Sequence, residues 1–252
     1  MIRLSNIKLA FGSRTLISDA SAHFSAGEMI ALLGRNGTGK STLLRAIAGL
    51  GTTQCGDIYI GGDNAKDLSA AQRAERIAFV NTERVDVDAL TVMELVSIGR
   101  SPYTNWMGRL TAEDRDIVEQ AMVKVGVATF AERRVETLSD GECQRAMIAR
   151  ALAQQTPIII LDEPTSFLDL PNRYDLCRLL GELAHRENKC ILFSTHELDI
   201  ALSLADSIAL VDTPRLVHLP TSEMITSGNI ERLFDSEYIS FDATSRSIHL
   251  KR

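Results

Sequence analysis

The sequence predicts an α/β protein whose parallel-sheet core is interrupted by a helical insertion. After Pro157, short and almost wholly apolar runs alternate with helical patterns, and such runs are typical of strands buried on both faces of a parallel sheet. Between about Leu90 and Gln155 the apolar spacing is mostly helical. Before residue 33, apolar and polar positions alternate between turn signals, which predicts short antiparallel strands that lead into the core.

The elements before the insertion are predicted from short local patterns. Turn signals at 11–13 and 26–28 separate the first strands. The apolar run 29–33 predicts a buried strand, and the segment 42–48 predicts a helix. Residues 56–63 predict another short strand that ends in a tight turn. A short, glycine-containing loop therefore separates the first core strand from the first helix.

The remaining elements are two amphipathic helices and three core strands. The segment from Thr111 to Asp114 resembles a capped helix start, and Pro171 suits the first turn of a later helix. The apolar positions of each helix fall on one side, which indicates core packing rather than a ligand site. They are Ile117, Val118, Ala121, Met122 and Val125 in the first helix, and Leu176, Leu179, Leu180 and Leu183 in the second. The core strands are predicted at 158–161, 190–193 and 208–211.

Length and composition limit the possible classes of protein. A chain of 252 residues can bury a large core, as one big domain or as a core with an insertion. The net charge of −6 argues against nucleic acid as the main partner, because binding the phosphate backbone uses clustered Lys and Arg.

No window approaches about 18 uninterrupted apolar residues, and the start lacks the apolar segment of a secretory signal. The four cysteines show no C-x-x-C spacing, which favours free thiols in a reducing cytosol over metal ligation.

The segment from Gly34 to Ser41 matches the phosphate-binding loop pattern G-x-x-x-x-G-K-[ST] at every fixed position. Its glycines allow backbone N–H groups to face a polyphosphate at a helix N-terminus, where the helix dipole also favours an anion. Lys40 supplies a positive charge for the β- and γ-phosphates, and the Ser41 hydroxyl can ligate Mg²⁺. A glycine-rich strand-to-helix turn without a ligand is the alternative. The residues expected to bind nucleotide are Gly34, Arg35, Asn36, Gly37, Thr38, Gly39, Lys40, Ser41 and Thr42.

A second motif, Leu138-Ser139-Asp140-Gly141-Glu142, precedes a helical pattern. Taken alone, it is a capping box with Ser139 as N-cap and Glu142 three residues later, but a capped helix start is also an anion-binding end. An apolar strand follows and ends in Asp162-Glu163-Pro164-Thr165. With these motifs in this order, the chain resembles the ATP-binding-cassette ATPases over nearly its whole length. Their signature Leu-Ser-Gly-Gly-Gln corresponds to residues 138–142.

This resemblance implies a fold as well as a function. The fold would be α/β, with a P-loop NTPase (RecA-like) core, an N-terminal antiparallel β subdomain and an inserted α-helical subdomain. The whole chain, 1–252, would form a single ATPase domain. The core with its β subdomain is expected at 1–82 and 156–252, and the helical subdomain that carries the signature at 83–155.

The resemblance also implies roles for individual residues. Phe11 stands where an aromatic residue stacks on adenine in this family, or alternatively anchors the end of a strand. Asp162 corresponds to the Walker B aspartate that holds Mg²⁺, and Glu163 to the general base that polarises the attacking water. His196 corresponds to the switch histidine that contacts the γ-phosphate. Residues 166–169 correspond to the D-loop that contacts a partner subunit, or alternatively form a helix-capping turn.

Two positions depart from the family pattern. When this sequence is aligned with the family pattern by the strand at 77–80, Thr82 takes the place of the Q-loop glutamine. Because the threonine side chain is shorter than that of glutamine, we expect a weaker or water-mediated metal contact. Asp140 replaces a signature glycine and adds negative charge near a γ-phosphate. We therefore expect Ser139 and the Gly141 amide, rather than Asp140, to face nucleotide. The expected metal ligands are Ser41, Asp162 and Thr82.

In this family the signature of one subunit covers the nucleotide of another. The resemblance therefore implies a head-to-tail dimer of two copies that encloses two ATP molecules. Lys40, His196, Mg²⁺ and the opposite subunit's Ser139 would share the charge that develops during hydrolysis, while Glu163 orients water. Closing and reopening of the dimer would then move whatever is attached to the helical insertion.

One branch of the family matches best. Residues 82–85, 90–106 and 168–173 most resemble ATPases of bacterial importers for iron-siderophore, haem and cobalamin complexes. This implies a peripheral subunit on the cytoplasmic face of the membrane, bound to integral permease subunits and served indirectly by a substrate-binding protein, with iron-chelate import as the first choice. Tyr103 and Trp106 would form an exposed aromatic loop that accepts a permease helix, or alternatively a loop packed on its own domain.

Two other functions remain open at this point: an exporter ATPase subunit, and a non-transport ATPase that acts on nucleic acid or in cofactor assembly. A clamp of the chromosome-maintenance kind needs a long coiled-coil insertion, and the space between the two phosphate-related motifs is too short for one. Relatives among translation factors usually carry two cassettes, whereas this chain has one phosphate-binding loop.

Overall fold

The computed structural model describes residues 1–81, 89–105, 107–166 and 168–251. The strands are Ile2–Phe11 (β1), Arg14–Phe24 (β2), Glu28–Gly34 (β3), Cys55–Ile60 (β4), Asp63–Asn64 (β5), Ile77–Val80 (β6), Ile158–Leu161 (β7), Cys190–Thr195 (β8), Ser207–Asp212 (β9), Arg215–Pro220 (β10), Ile239–Asp242 (β11) and Ser247–Leu250 (β12). The helices are Lys40–Ile47 (α1), Ala70–Ala74 (α2), Val92–Ser97 (α3), Ala112–Lys124 (α4), Asp140–Ala153 (α5), Leu170–Glu187 (α6), Leu198–Leu204 (α7), Thr221–Thr226 (α8) and Asn229–Phe234 (α9).

A six-stranded sheet forms the core, in the order β10-β9-β3-β8-β7-β6. The strands from β9 to β6 pair in parallel, whereas β10 joins β9 antiparallel at one edge. The carboxyl ends of parallel strands lie together at one side of a sheet, and ligands bind there in open α/β folds. The loops that follow β3, β7 and β8 therefore emerge side by side.

Both faces of the central strands are buried, because successive side chains of a strand point to opposite faces. Along β3, Met29, Ala31 and Leu33 belong to one hydrophobic cluster, whereas Ile30 and Leu32 belong to another. The first cluster includes apolar side chains of α5, α6 and α7, and the second includes those of α1 and of a separate antiparallel sheet. The apolar runs that predicted core strands are thus explained by two covered faces.

The antiparallel sheet has the order β2-β1-β4-β5. The first two strands contain 10 and 11 residues, so they are longer than the short strands that the sequence predicted. The predicted strand and tight turn at 56–63 are confirmed by β4, β5 and the turn at Gly61 and Gly62 between them. The predicted α/β fold class, with an N-terminal antiparallel sheet and inserted helices, is confirmed.

The helical insertion contains α3, α4 and α5, whose starts are capped. Thr111 Oγ1 accepts a hydrogen bond from the backbone N–H of Asp114 at 3.1 Å, and Ser139 Oγ accepts one from that of Glu142 at 3.3 Å. Both predicted capped starts are therefore confirmed. The apolar stripe of α4 is confirmed as core: Val118, Ala121, Met122 and Val125 are buried and Ile117 is partly buried. Helix α6 carries Pro171 in its first turn, as predicted, with Asp169 as N-cap.

Two arginines, the buried Arg100 and the partly buried Arg150, connect the insertion internally and to the core. The Arg100 guanidinium donates from Nε to Asp114 Oδ1 at 2.8 Å and from Nη1 to the Ala153 carbonyl at 2.9 Å. Arg150 Nη2 donates to the carbonyl of Phe79, in β6, at 2.8 Å. The domain boundaries given above stay predictions, and the one between 82 and 83 lies outside the described residues.

After β10 the chain adds α8, α9 and the β11–β12 hairpin, which packs through Phe241 onto the core. Over the ranges that the structure describes, every helix is too short or too polar to cross a membrane.

Candidate nucleotide-binding site

The glycine-rich loop between β3 and α1 has the backbone geometry of an anion cradle. Gly37 and Gly39 have φ values of 74° and 103°, a region that side chains with a β-carbon disfavour. A β-carbon on Gly34 would lie 2.8 Å from the Val211 carbonyl, and one on Gly39 would lie 3.0 Å from Leu16. Among the described residues, no side chain caps the start of α1, so its first N–H groups are available to an anion. The loop therefore fits a phosphate chain.

Lys40 lies buried inside this loop. Its side chain is 5% exposed, and Nζ donates to the carbonyls of Gly34 at 2.9 Å and Arg35 at 3.2 Å. Burial lowers the pKa of Lys40, while the neighbouring Glu163 and Asp162 carboxylates act in the opposite direction. The ammonium group is thus held at the centre of the cradle, where a phosphate oxygen can replace a carbonyl as acceptor.

Ser41, in the first turn of α1, lies next to Asp162, which directly follows β7. Ser41 Oγ donates to Asp162 Oδ1 at 2.9 Å, and Asp162 is 5% exposed. A hydroxyl and a carboxylate oxygen at this separation are ligands that suit Mg²⁺. The third predicted metal ligand, Thr82, lies outside the described residues.

Glu163 points into the same region, between two nitrogen groups. Its Oε1 lies 3.7 Å from Lys40 Nζ and 3.6 Å from His196 Nδ1. Its φ of 44° falls in the left-handed region, which is uncommon for a residue with a β-carbon. Ser166 Oγ donates to Glu163 Oε2 at 3.2 Å, which orients the carboxylate further. The three residues predicted to take part in hydrolysis, Lys40, Glu163 and His196, are therefore neighbours.

An open cleft of about 570 Å³ runs past these groups. Phe11 is at its mouth with 78% of its surface exposed, so it does not anchor the end of β1 by packing. The described lining residues are Phe11, Arg14, Leu16, Asn36, Gly37, Gly39, Lys40, Ser41, Thr42, Asp162 and Glu163. Arg14 and Leu16 were not predicted, because they reach the cleft only through the packing of the antiparallel sheet beside the loop.

Some predicted nucleotide-binding residues lie away from this cleft. Gly34, Arg35 and Thr38 are in the loop but absent from the described lining, and Thr38 Oγ1 donates to the Arg35 carbonyl at 2.9 Å. Ser139 and Gly141 are absent from the described lining. Ser139 Oγ instead donates to Glu142 Oε2 at 2.9 Å, in the capping box at the start of α5. The bonds from Ser139 and the nearby Arg133 guanidinium lower the pKa of Glu142.

Two further residues connect the parts of the site, and sequence reasoning missed both. Ser194, in β8, bonds to Asp162 and to the Glu163 backbone. Arg173, in α6, bonds to Glu197, the residue after His196. One sequence feature could have indicated Ser194: two hydroxyl residues, 194 and 195, end a strand that is otherwise apolar.

The predicted aromatic loop packs partly on its own domain. Tyr103 is 42% exposed, but its hydroxyl donates to the Gln154 carbonyl at 3.0 Å and the Arg100 guanidinium lies 4.2 Å from its ring centroid. Burial raises the pKa of Tyr103. Tyr103 therefore combines contacts within its own domain with an exposed ring, so both alternatives stay open, and Trp106 lies outside the described residues.

The parallel-sheet fold and the glycine-rich loop, with Ser41, Asp162 and Glu163 beside it, are those of a P-loop protein that hydrolyses nucleotides. Residues 17–166 match the sequence profile of the ABC transporter family, and the chain belongs to that family. It is therefore an ATP-binding and ATP-hydrolysing subunit.

Relatives and solved structures cover most of the chain. It is 34% identical over all of its length to an uncharacterized ABC transporter ATP-binding protein of Methanocaldococcus jannaschii, 87% of which is covered. It is 32% identical over 245 residues to the iron(3+)-hydroxamate import ATP-binding protein FhuC of Bacillus subtilis, covering 96% of this chain and 91% of that one.

Two solved structures have similar folds. One is an inward-facing ABC transporter of the metal-chelate type, with a TM-score of 0.81, 29% identity, and coverage of 92% of this chain and 88% of that one. The other is a dimeric ATP-binding cassette in a post-hydrolysis state with ADP and Pi, with a TM-score of 0.76, 26% identity, and coverage of 88% and 99%.

Proposed function

We propose that the chain hydrolyses ATP with Glu163 as general base and that this hydrolysis energises the import of an iron chelate. The observation that carries the first part is the position of Glu163: it directly follows the buried Asp162, and its Oε1 lies within 3.7 Å of Lys40 and 3.6 Å of His196. A carboxylate held between two nitrogen groups at an open cleft can accept a proton from an attacking water. The relatives named above support the second part.

The remaining groups of the cleft bind and neutralise phosphate. The loop amides and Lys40 would hold the phosphate chain, and His196 would contact the terminal phosphate. Ser41 and Asp162 would hold Mg²⁺, which supplies charge neutralisation when bound. Phe11 would stack on the adenine ring, because its exposed face lies at the mouth of the cleft.

The base role is tested by Glu163→Gln in the purified full-length chain, alone and with its permease. We expect the turnover of ATP to fall about 10²- to 10³-fold while ATP still binds, because the amide keeps the shape of the side chain and lacks its basicity. Glu119→Gln changes an exposed carboxylate on α4 and serves as the matched control. Wild-type turnover by Glu163→Gln would remove Glu163 from the base role.

We also propose that a second copy of the chain completes the site. Ser139 and Gly141 do not line the cleft of their own chain, and the start of α5 is exposed, so a head-to-tail dimer can bring them to the other copy's nucleotide. The dimeric cassette with ADP and Pi, to which this fold is similar, supports this arrangement.

Mixing two inactive variants tests the shared site. Lys40→Ala removes the cradle's charge but keeps the signature, whereas Ser139→Asp keeps the cradle and its own helix cap but loses the signature hydroxyl. A mixed dimer contains one site with both intact halves, so the mixture should hydrolyse ATP well above either variant alone. No recovery in a mixture shown to contain mixed dimers would contradict a shared site.

Thr82 remains our proposed third metal contact. Thr82→Ala should change the Mg²⁺ concentration needed for half-maximal turnover, or the coupling of turnover to transport. If neither changes, the position does not substitute for the family's glutamine.

For transport, the chain would sit peripherally on the cytoplasmic face of the membrane, bound to permease subunits that receive cargo from a substrate-binding protein. The test is ATP turnover of the reconstituted complex with its binding protein either empty or loaded with a ferric siderophore, haem or cobalamin. Stimulation by the ferric siderophore is expected. Stimulation by haem instead would keep iron-chelate import but change the chelate. Stimulation by cobalamin alone, or export of a compound from the vesicles, would contradict iron-chelate import and leave the hydrolysis site unaffected.

A further inference from the structure

Ser194 connects the two acidic residues of the site, although its side chain has no exposed surface. Its Oγ donates to Asp162 Oδ1 at 2.6 Å and accepts a hydrogen bond from the backbone N–H of Glu163 at 2.8 Å. The register of the sheet creates this contact: Leu161 at the end of β7 is opposite Phe193 in β8, so the next residues of each strand are neighbours.

The chemistry of the two partners fixes the direction of both bonds. An ionised carboxylate can only accept a hydrogen bond and a backbone N–H can only donate one. Ser194 must therefore donate to Asp162 and accept from Glu163. A hydroxyl has one donor and two acceptor positions and can do both at once, whereas an alanine at this position can do neither.

Both partners need this support. Glu163 has a φ of 44°, and the bond from its N–H to Ser194 holds the backbone in that uncommon conformation. Asp162 Oδ1 is shared between the Ser194 and Ser41 hydroxyls, so its rotation is fixed from two sides. Because Ser194 is fully buried, it acts on the cleft only through these two residues.

We propose that Ser194 is a positioning residue for ATP hydrolysis, whose single buried hydroxyl holds the Asp162 carboxylate and the Glu163 backbone in a fixed mutual arrangement. The inference rests on the roles proposed above for these two residues. It predicts that loss of the hydroxyl lowers the rate of hydrolysis and leaves the binding of metal-free ATP unchanged, because the phosphate cradle does not involve Ser194.

The experiment compares Ser194→Ala with Ser194→Thr, which keeps the hydroxyl and suits a strand. Ser207→Ala is the matched control: Ser207 is also buried in the central sheet and bonds to a carboxylate and a histidine, Glu28 and His218, but at the start of β9 and away from the cleft. For each variant, kcat and KM for ATP, the Tm, and the affinity for a fluorescent ATP analogue with and without Mg²⁺ are measured.

We expect Ser194→Ala to lower kcat about 10- to 100-fold and to reduce the gain in nucleotide affinity that Mg²⁺ produces, with the metal-free affinity unchanged. Ser194→Thr should recover most of the rate. If its extra methyl group lowers the Tm, Ser194→Cys, whose thiol is a weak donor of similar size, should give an intermediate rate.

Three outcomes would overturn the proposal: a wild-type rate in Ser194→Ala, an equal loss of rate in Ser207→Ala, or a Ser194→Thr variant that recovers the Tm without the rate. The Glu163→Gln variant distinguishes a failure of the positioning role of Ser194 from a failure of the proposed base role of Glu163. If Glu163→Gln is inactive while Ser194→Ala is fully active, only the positioning role fails. If Glu163→Gln is fully active, the base role itself fails.

Discussion

The guanidinium of Arg173 donates to the Glu197 carboxylate at 2.6 Å. Arg173 Nε also donates to the carbonyl of Leu168 at 2.6 Å. The other carboxylate oxygen of Glu197 accepts a hydrogen bond from Thr165 Oγ1 at 3.0 Å. The loop that follows Glu163 is therefore tied to the residue that follows His196. One arginine of α6 thus connects two loops that reach the cleft from different strands.

Replacing Arg173 with Met should loosen both loops together. The Glu197 carboxylate is 13% exposed and would lose its charged partner, so we expect the free energy of unfolding to fall by about 1–2 kcal/mol. The kcat should also fall, because Glu163 and His196 would no longer be held relative to each other. Arg178→Met changes an exposed arginine of the same helix and should leave both quantities unchanged. Denaturant unfolding and ATP turnover check this, and an unchanged kcat in Arg173→Met would show that the link is only structural.

Phe11→Ala should weaken ATP binding without destabilising the fold. Stacking of a base on an aromatic ring contributes about 1–3 kcal/mol, so we expect the Kd for ATP to rise roughly tenfold. The Tm should stay the same, because the side chain is 78% exposed. Phe11→Tyr keeps the ring and should bind like wild type. An equal Kd for ATP in wild type and Phe11→Ala would place adenine elsewhere.

Asp114→Asn should make stability less dependent on acid pH. The backbone N–H and hydroxyl of Thr111, together with Arg100, lower the pKa of Asp114 from 3.8 to about 2. A carboxyl whose pKa is lowered on folding adds stability above its unfolded pKa, and this stability is lost as the pH falls from 3.8 toward 2. At neutral pH the variant should lose about 2–3 kcal/mol, because Arg100 stays buried without its charged partner.

Urea unfolding from neutral pH to about pH 3 measures this effect. The difference between wild type and Asp114→Asn should shrink as the pH falls. Asp116→Asn, an exposed position on the same helix, is the control and should parallel wild type. A difference that stays constant with pH would mean that Asp114 does not titrate in this range.

Ser139→Ala and Ser139→Asp should separate the helix cap from the role in hydrolysis. Alanine removes the N-cap of α5 and should cost about 1 kcal/mol of stability, whereas aspartate is itself a good N-cap. Both variants should lose ATP turnover if the hydroxyl faces a partner's nucleotide. Tm and turnover are measured together. Wild-type turnover in the Ser139→Asp variant would mean that Ser139 only caps α5 and takes no part in hydrolysis.

The parts of the site that are contiguous in sequence were predictable. The loop from Gly34 to Ser41 and the pair Asp162 and Glu163 each follow an apolar strand, and parallel strands bring their carboxyl ends together. That reasoning is sufficient to expect Ser41, Asp162 and His196 in one region, and the structure has them there. Motif spacing and strand direction are local properties, so the sequence expresses them directly.

The contacts between motifs were not predictable from the same patterns. Ser194 meets Asp162 only because of the exact register between β7 and β8, and a one-residue slip would turn its side chain to the opposite face of the sheet. Leu16 reaches the cleft because a separate sheet packs beside the loop, where it lies close to Gly39. Arg173 depends on the rotation of a helix about its own axis. These are long-range packing relations that no single segment determines.

In the proposed head-to-tail dimer, the capping box of Ser139 would affect how tightly two copies bind each other. Within one chain its hydroxyl is already bonded to Glu142, at 2.9 Å. Meeting a partner's nucleotide would exchange that bond for another instead of adding a new one, and an exchange of hydrogen bonds contributes little net free energy. Such an interface can separate again after each hydrolysis event, which a motor that repeats its cycle requires.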